Sequence, residues 1–129
     1  MKKKILFVSA MLFFSILPLA LFTSCDKDTN SYLKVLVIDE NTKLPISGAL
    51  VDVSQTNGGT VHAEGVTDGD GTFLTSFSAP AIVKVKAILQ LPTEQGGGER
   101  RGETQVRLQE GETLTAKIAL TSQVYYDNN

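Results

Sequence analysis

From Tyr32 onward, apolar residues recur at every second position in short runs, and turn residues separate the runs. A period of two belongs to extended chain, whose successive side chains point to opposite faces. YLKVLVID, at 32–39, is nearly continuous in apolar residues and predicts a strand buried on both faces or covered by a neighbour. ALVDVSQ sets Val51 and Val53 on one face, with Asp52 and Ser54 on the other. TVHAEGVT is expected to run antiparallel to it, joined through Asn57-Gly58, a dipeptide that predicts a type I′ turn with positive φ at both central positions. In FLTSF, Phe73, Thr75 and Phe77 share a face, and IVKVKAI alternates Val83, Val85 and Ala87 with Lys84 and Lys86. TQVRLQ turns Val106 and Leu108 inward, and LTAKIALT does the same with Leu114, Ala116, Ile118 and Leu120. Glu110, Gly111 and Glu112 are expected to close this last pair as a hairpin. No helical period is present. The pattern predicts an all-β, seven-stranded antiparallel Greek-key sandwich.

The segments between the strands carry a recognisable order. VIDENTKLPISGALVDV, then VTDGDGTF, then VKVKA resembles the carboxypeptidase regulatory-like domain, a transthyretin-like (prealbumin-like) sandwich. Pro45, Gly48, Ala49, Val51, Val53, Thr67, Asp68, Asp70, Gly71 and Phe73 fall in the family's order, and the resemblance runs from Tyr32 to Thr121. It departs after Ala87, where relatives continue with Gly-Tyr and this chain has Ile88, Leu89 and a long loop; Ala79, Pro80 and Ala81 replace a second Gly-Tyr. The resemblance implies a non-catalytic domain, so it brings no active-site residue.

Ahead of the strands the chain reads as an export signal: Lys2, Lys3 and Lys4, then an apolar run from Ile5 to Phe22 broken by Ser9, Ser15 and Pro18. As an uncleaved anchor the run is about 18 residues, near the roughly 20 that a bilayer needs, but Pro18 interrupts it. Phe22, Thr23, Ser24 and Cys25 resemble the lipobox of bacterial lipoproteins in its relaxed form, with Phe22 where Leu is preferred. That resemblance implies acylation of Cys25, the sole cysteine, and cleavage before it. Each buried methylene contributes about 0.8 kcal/mol, so one chain holds marginally and two or three hold stably. The alternative, a stray or redox thiol, has no second cysteine to pair with. Asp26 and Asp28 after Cys25 resemble the surface-export signals of some Gram-negative lipoproteins, and also suit a solvated linker. The expected organisation is a signal peptide over 1–24, a polar linker over 25–31, the sandwich over 32–121 and a tail over 122–129.

Processing leaves nine basic residues against 14 acidic ones, a net charge of −5, which makes nucleic acid a poor partner. With no cysteine to spare, the domain must be held by its core. Five aromatics remain, Tyr32, Phe73, Phe77, Tyr125 and Tyr126, and the phenylalanines read as core. Saccharide recognition leans on exposed aromatic faces, so glycan binding is weakened though not excluded.

Candidate chemistry is sparse. An EF-hand loop begun at Asp68 needs Gly sixth and Glu twelfth, where the chain has Phe73 and Ala79. A tight turn, with the aspartates capping amides, explains Asp68 to Gly71 better, and no metal site is assigned. His62, the sole histidine, has Glu64 on its own strand face and reads as an exposed structural residue rather than a triad member. QLPTEQGGGERRGE, at 90–103, holds the domain's adjacent basic pair, Arg100 and Arg101, flanked by Glu99 and Glu103. It lacks the Gly-Lys-Ser/Thr of a phosphate loop and reads either as a mobile connector or as a contact loop. Related collagen-adhesin sandwiches crosslink a lysine to an asparagine; Lys34 suits the first role, but LTAKIALT offers no asparagine, and Asn128 and Asn129 lie beyond it.

These readings converge on a lipoprotein of a Gram-negative outer membrane, held through lipid on Cys25, whose non-catalytic sandwich meets protein partners in the envelope. Candidate contact residues are Arg100, Arg101, Tyr125 and Tyr126, with no catalytic residue, metal or cofactor. The alternative is an accessory module capturing glycan or peptide beside an uptake system.

Overall fold

The structure, a computed structural model, describes residues 29–126. The signal segment, Cys25, Asn128 and Asn129 lie outside the described residues. Seven strands follow in order: β1 (Ser31–Asp39), β2 (Leu50–Gln55), β3 (His62–Val66), β4 (Thr72–Phe77), β5 (Ala81–Gln90), β6 (Glu99–Leu108) and β7 (Thr113–Leu120). They form two sheets, one ordered β4-β1-β7 and the other β3-β2-β5-β6. Among the described residues no helix is long and apolar enough to cross a membrane.

The inward faces follow the alternation of the sequence. Leu33, Val35 and Val37 of β1 meet Val51 and Val53 of β2, Val83, Val85 and Ala87 of β5, and Ala116, Ile118 and Leu120 of β7 in one core. Burying each such Val, Leu or Ile side chain contributes about 1.5–3 kcal/mol. Phe73 and Phe77 pack against this core, and Phe73 fills the space that a side chain at Gly65 would need. The first strand is two-faced only at its end, because Tyr32 and Lys34 stay in water while Val37 and Ile38 are both buried. It starts at the buried Ser31, one residue before the expected boundary.

Four expectations need correction. The sandwich is not wholly antiparallel: β1 and β7 pair in parallel, from Tyr32 opposite Thr113 to Asp39 opposite Leu120. The residues after β6 do not close a hairpin. They carry the chain across to the other sheet, where Gly111 N–H donates to Asn30 O and Tyr32 N–H to Glu112 O, both at 2.9 Å. The seventh strand therefore sets out from the same end as the first and must run alongside it. The β2–β3 connection is also not a type I′ turn. Gln55 N–H bonds Val61 O at 3.0 Å, so a longer loop closes there, and of Asn57 and Gly58 just Gly58 takes positive φ.

The fourth correction concerns 90–103, whose two ends are strand. Ladder pairing continues through Ile88 with Arg101, Leu89 with Arg100 and Gln90 with Glu99. Between the strands a 3-10 turn, Thr93–Gln95, leads into Gly96, Gly97 and Gly98, which take φ of 93°, 69° and 88°. The glycines give left-handed backbone to a hydrogen-bonded turn, with Leu91 N–H on Gly98 O at 2.9 Å.

The motif residues at 45–49 and 67–71 turn out to build one end of the sandwich. Buried Thr67 donates its hydroxyl to Ile46 O at 2.7 Å and accepts Ala49 N–H at 3.0 Å, so one side chain ties the two turns together. Asp68 Oδ1 accepts from the amides of Asp70 at 2.9 Å and Thr72 at 3.0 Å. These bonds, from Thr72 first, hold the Asp68 carboxyl below its ordinary pKa. The second Asp68 oxygen serves the turn as well, accepting the Thr72 hydroxyl at 2.9 Å.

Candidate functional site

The strand period splits the adjacent arginines of β6 to opposite sides. Arg100 turns inward, where its side chain is 15 % exposed, and its Nη2 lies 2.9 Å from Asp39 Oδ2. Its Nε donates to Thr121 O at 2.6 Å and its Nη2 to Leu120 O at 3.1 Å. Asp39 also accepts the amides of Thr42 at 3.0 Å and Asn41 at 2.8 Å. Those two amides, and then Arg100, hold the Asp39 carboxyl at about 2. Arg100 is thus committed to the fold and withdrawn from any contact surface.

Arg101 turns outward, 57 % exposed, pairs with Glu99, and lies over the Tyr125 ring at 5.0 Å from its centroid. Gln90, opposite Glu99 in the ladder, donates its side-chain amide to Glu99 Oε2 at 2.8 Å. The tail is drawn in by the backbone: Glu99 N–H donates to Tyr125 O and Tyr125 N–H to Glu99 O, each at 2.9 Å. Gly98 permits this approach, since a Cβ there would stand 2.6 Å from Val124 Cγ1 and 2.9 Å from Tyr125 O. The result is an open cleft of about 560 Å³ lined by Gln90, Gly98, Glu99, Arg101, Tyr125 and Tyr126.

Three of the four expected contact residues, Arg101, Tyr125 and Tyr126, therefore meet in one place, while Arg100 does not join them. They stand on a strand and a docked tail rather than on a loop. Gln90 and Gly98 were not foreseen. The signal for them was the near symmetry of polar residues about the glycine run, which becomes legible only once that run is read as a hairpin turn.

The cleft also has a position. Cys25 joins the domain through β1, which begins at Ser31 beside the turn at Gly111 and Glu112. The cleft stands where β5 ends and β6 begins, level with Asp39 at the other end of β1.

His62 has a different partner from the one expected. Its Nε2 lies 3.2 Å from Asp52 Oδ1 on β2, and Ser54 stands opposite it in register. A serine, a histidine and a carboxylate thus share the outer face of the four-stranded sheet. Ser54 and Asp52 stand on β2, which is bonded on both sides, and His62 on β3, the edge strand beside it. Lys34 points outward with Thr115 of β7 opposite it.

No family model and no curated protein matches the chain. Among solved structures, the TIE protein of Bacillus anthracis superposes with a TM-score of 0.55 at 21 % identity, covering 72 % of this chain and 16 % of that one. GBS52, the minor pilin of Streptococcus agalactiae, gives 0.53 at 16 % identity over 80 % of this chain and 49 % of the pilin. The chain thus spans less than half the length of either neighbour, and the likeness is one of fold alone: a two-sheet β domain.

Proposed function

We propose that this protein is a lipid-anchored, non-catalytic interaction module of the outer membrane, of the carboxypeptidase regulatory-like kind. The polarity of the domain carries the reading. The strand that leaves the acylated Cys25 enters at one end, and the polar cleft with its two tyrosines opens at the other. A tether of six residues, 25–30, holds the first end near the lipid and presents the second to partners in the envelope. A minor pilin is among the proteins that share this fold, which fits a display role for such a sandwich, although what it builds belongs to it.

The test is metabolic labelling with an alkyne-bearing palmitate in a Gram-negative host making the full chain. Label should enter the protein, the protein should fractionate with outer membrane, and Cys25→Ser should abolish both. Recovery of exported protein with an unmodified thiol ends the proposal. Crosslinking on intact cells then reports the partners.

A further inference from the structure

We infer that the cleft between Gln90, Arg101 and Tyr126 is a binding site for a neutral saccharide, a pyranose ring laid against Tyr126. The inference rests on reading this end of the domain as its recognition end. Sequence composition weakens such a role because exposed aromatics are few. The fold answers that objection by bringing Tyr125 and Tyr126 to the same cleft, with Tyr126 still 59 % exposed.

The charges of the lining select the ligand. Glu99 and Arg101 oppose each other and the remaining lining residues are uncharged, so the cleft has no net charge to attract an ion of either sign. An anion meets the Glu99 carboxylate, and a cation meets the Arg101 guanidinium. A neutral polyol escapes both penalties. A guanidinium only donates, a carboxylate only accepts and the Gln90 amide does both, whereas neighbouring sugar hydroxyls do both side by side. The ring also has an apolar C–H face suited to an exposed tyrosine, whose body is apolar and whose tip is polar. The space of about 560 Å³ fits one or two sugar units, within the roughly 300–1,000 Å³ of small-ligand sites.

A peptide strand fits less well. Strand addition needs a free edge, and beside the cleft the start of the β6 edge is occupied: Tyr125 bonds both polar groups of Glu99, and Thr121 N–H bonds Arg101 O at 3.1 Å. The pairing that would dock a peptide is already made by the chain's own tail.

The full lipidated chain, in an amine-oxide detergent without a sugar headgroup, is titrated with maltoheptaose, xylohexaose and chitohexaose. Anionic hyaluronan and heparin hexamers run in parallel. At least one neutral oligosaccharide should shift the amides of Gly98 and Glu99 and the side-chain signals of Gln90 and Arg101 saturably in nitrogen-proton NMR. Tyr126→Ala should weaken that binding by about tenfold with an unchanged urea midpoint, and Tyr126→Phe should largely keep it. Larger shifts from the anionic hexamers, no shift at the cleft from any neutral sugar, or undiminished binding by Tyr126→Ala overturns the inference. In-cell protein crosslinks at Tyr126 together with no sugar binding would sink the saccharide and leave the interaction module standing.

Discussion

Arg100 Nη2 lies 2.9 Å from Asp39 Oδ2, and through this pair the start of the sixth strand holds the end of the first across the gap between the sheets. The same guanidinium takes up Thr121 O and Leu120 O, just past and at the end of the seventh strand. The sixth strand is thereby fixed to the first and seventh, to which no hydrogen-bond ladder joins it. The neighbouring arginine is free of that duty because a strand sends successive side chains to opposite faces.

Replacing the two arginines should therefore have unequal effects. Arg100→Ala leaves two carbonyls without their charged donor and should cost about 2 kcal/mol. Arg101→Ala, on the open face, should stay within about 0.5 kcal/mol. Urea midpoints of the two variants measure the difference, and equal losses would refute the division of labour between them.

Acid should loosen the same corner. The Asp39 carboxyl, held at about 2 against an ordinary 3.8, keeps its charge longer in the folded chain than in the unfolded one. A depressed folded pKa gives stability that is complete above the unfolded value and drains away as pH falls toward the folded one. The urea midpoint should fall from pH 3.8 toward about 2. Asp39→Asn should flatten part of that fall and leave the share due to Asp68, whose carboxyl is lowered as well. An unchanged slope in Asp39→Asn would show that Asp39 is not its source.

The number of strands and the inward sets of the last three were legible because period-two alternation is a local signal, whereas the first half of β6, at 99–103, read as loop beside its glycine run. The parallel pairing of β1 with β7 was not, since nothing near Glu110 or Glu112 says which sheet the chain enters next. Asn57-Gly58 misled for a related reason: a hairpin dipeptide describes its own φ preference, while the loop is set by where Gln55 and Val61 meet. Pairs such as Arg100 with Asp39 join residues far apart in the chain, and composition carries no trace of them. At the cleft the residue types were readable in Arg101, Tyr125 and Tyr126. The bridge that assembles them, Glu99 with Tyr125, is made of backbone and leaves no mark in side chains.

The two glycines of the TDGDG turn should behave differently. Gly71 takes φ of +71°, and a Cβ on it would stand 2.8 Å from Val37 O and 2.9 Å from Pro45 Cβ. Gly71→Ala should cost about 2 kcal/mol or more, from left-handed strain and the close backbone together. Gly69 has open space around it and no positive φ, so Gly69→Ala should be neutral or slightly stabilising. Thermal melts of the pair decide it: similar shifts would mean that the turn relaxes and that its spacing is not what the fold requires.

The orientation on the membrane is measurable without knowing any ligand. With nine residues in β1 at roughly 3.3 Å each, the tether end and the cleft end stand about 30 Å apart. If lipid on Cys25 holds the first end down, a paramagnetic headgroup lipid in a vesicle carrying the full acylated chain should broaden the amides of Gly111 and Glu112. The amides of Gly96, Gly97 and Gly98, at the far turn, should keep their intensity. Acidic Glu110 and Glu112 near the tether would be repelled by an anionic bilayer, so adding anionic lipid should weaken the broadening at Gly111 rather than transfer it to the cleft. Equal broadening at both turns would mean that the domain lies flat or tumbles freely on its tether, and the cleft would then have no privileged outward direction.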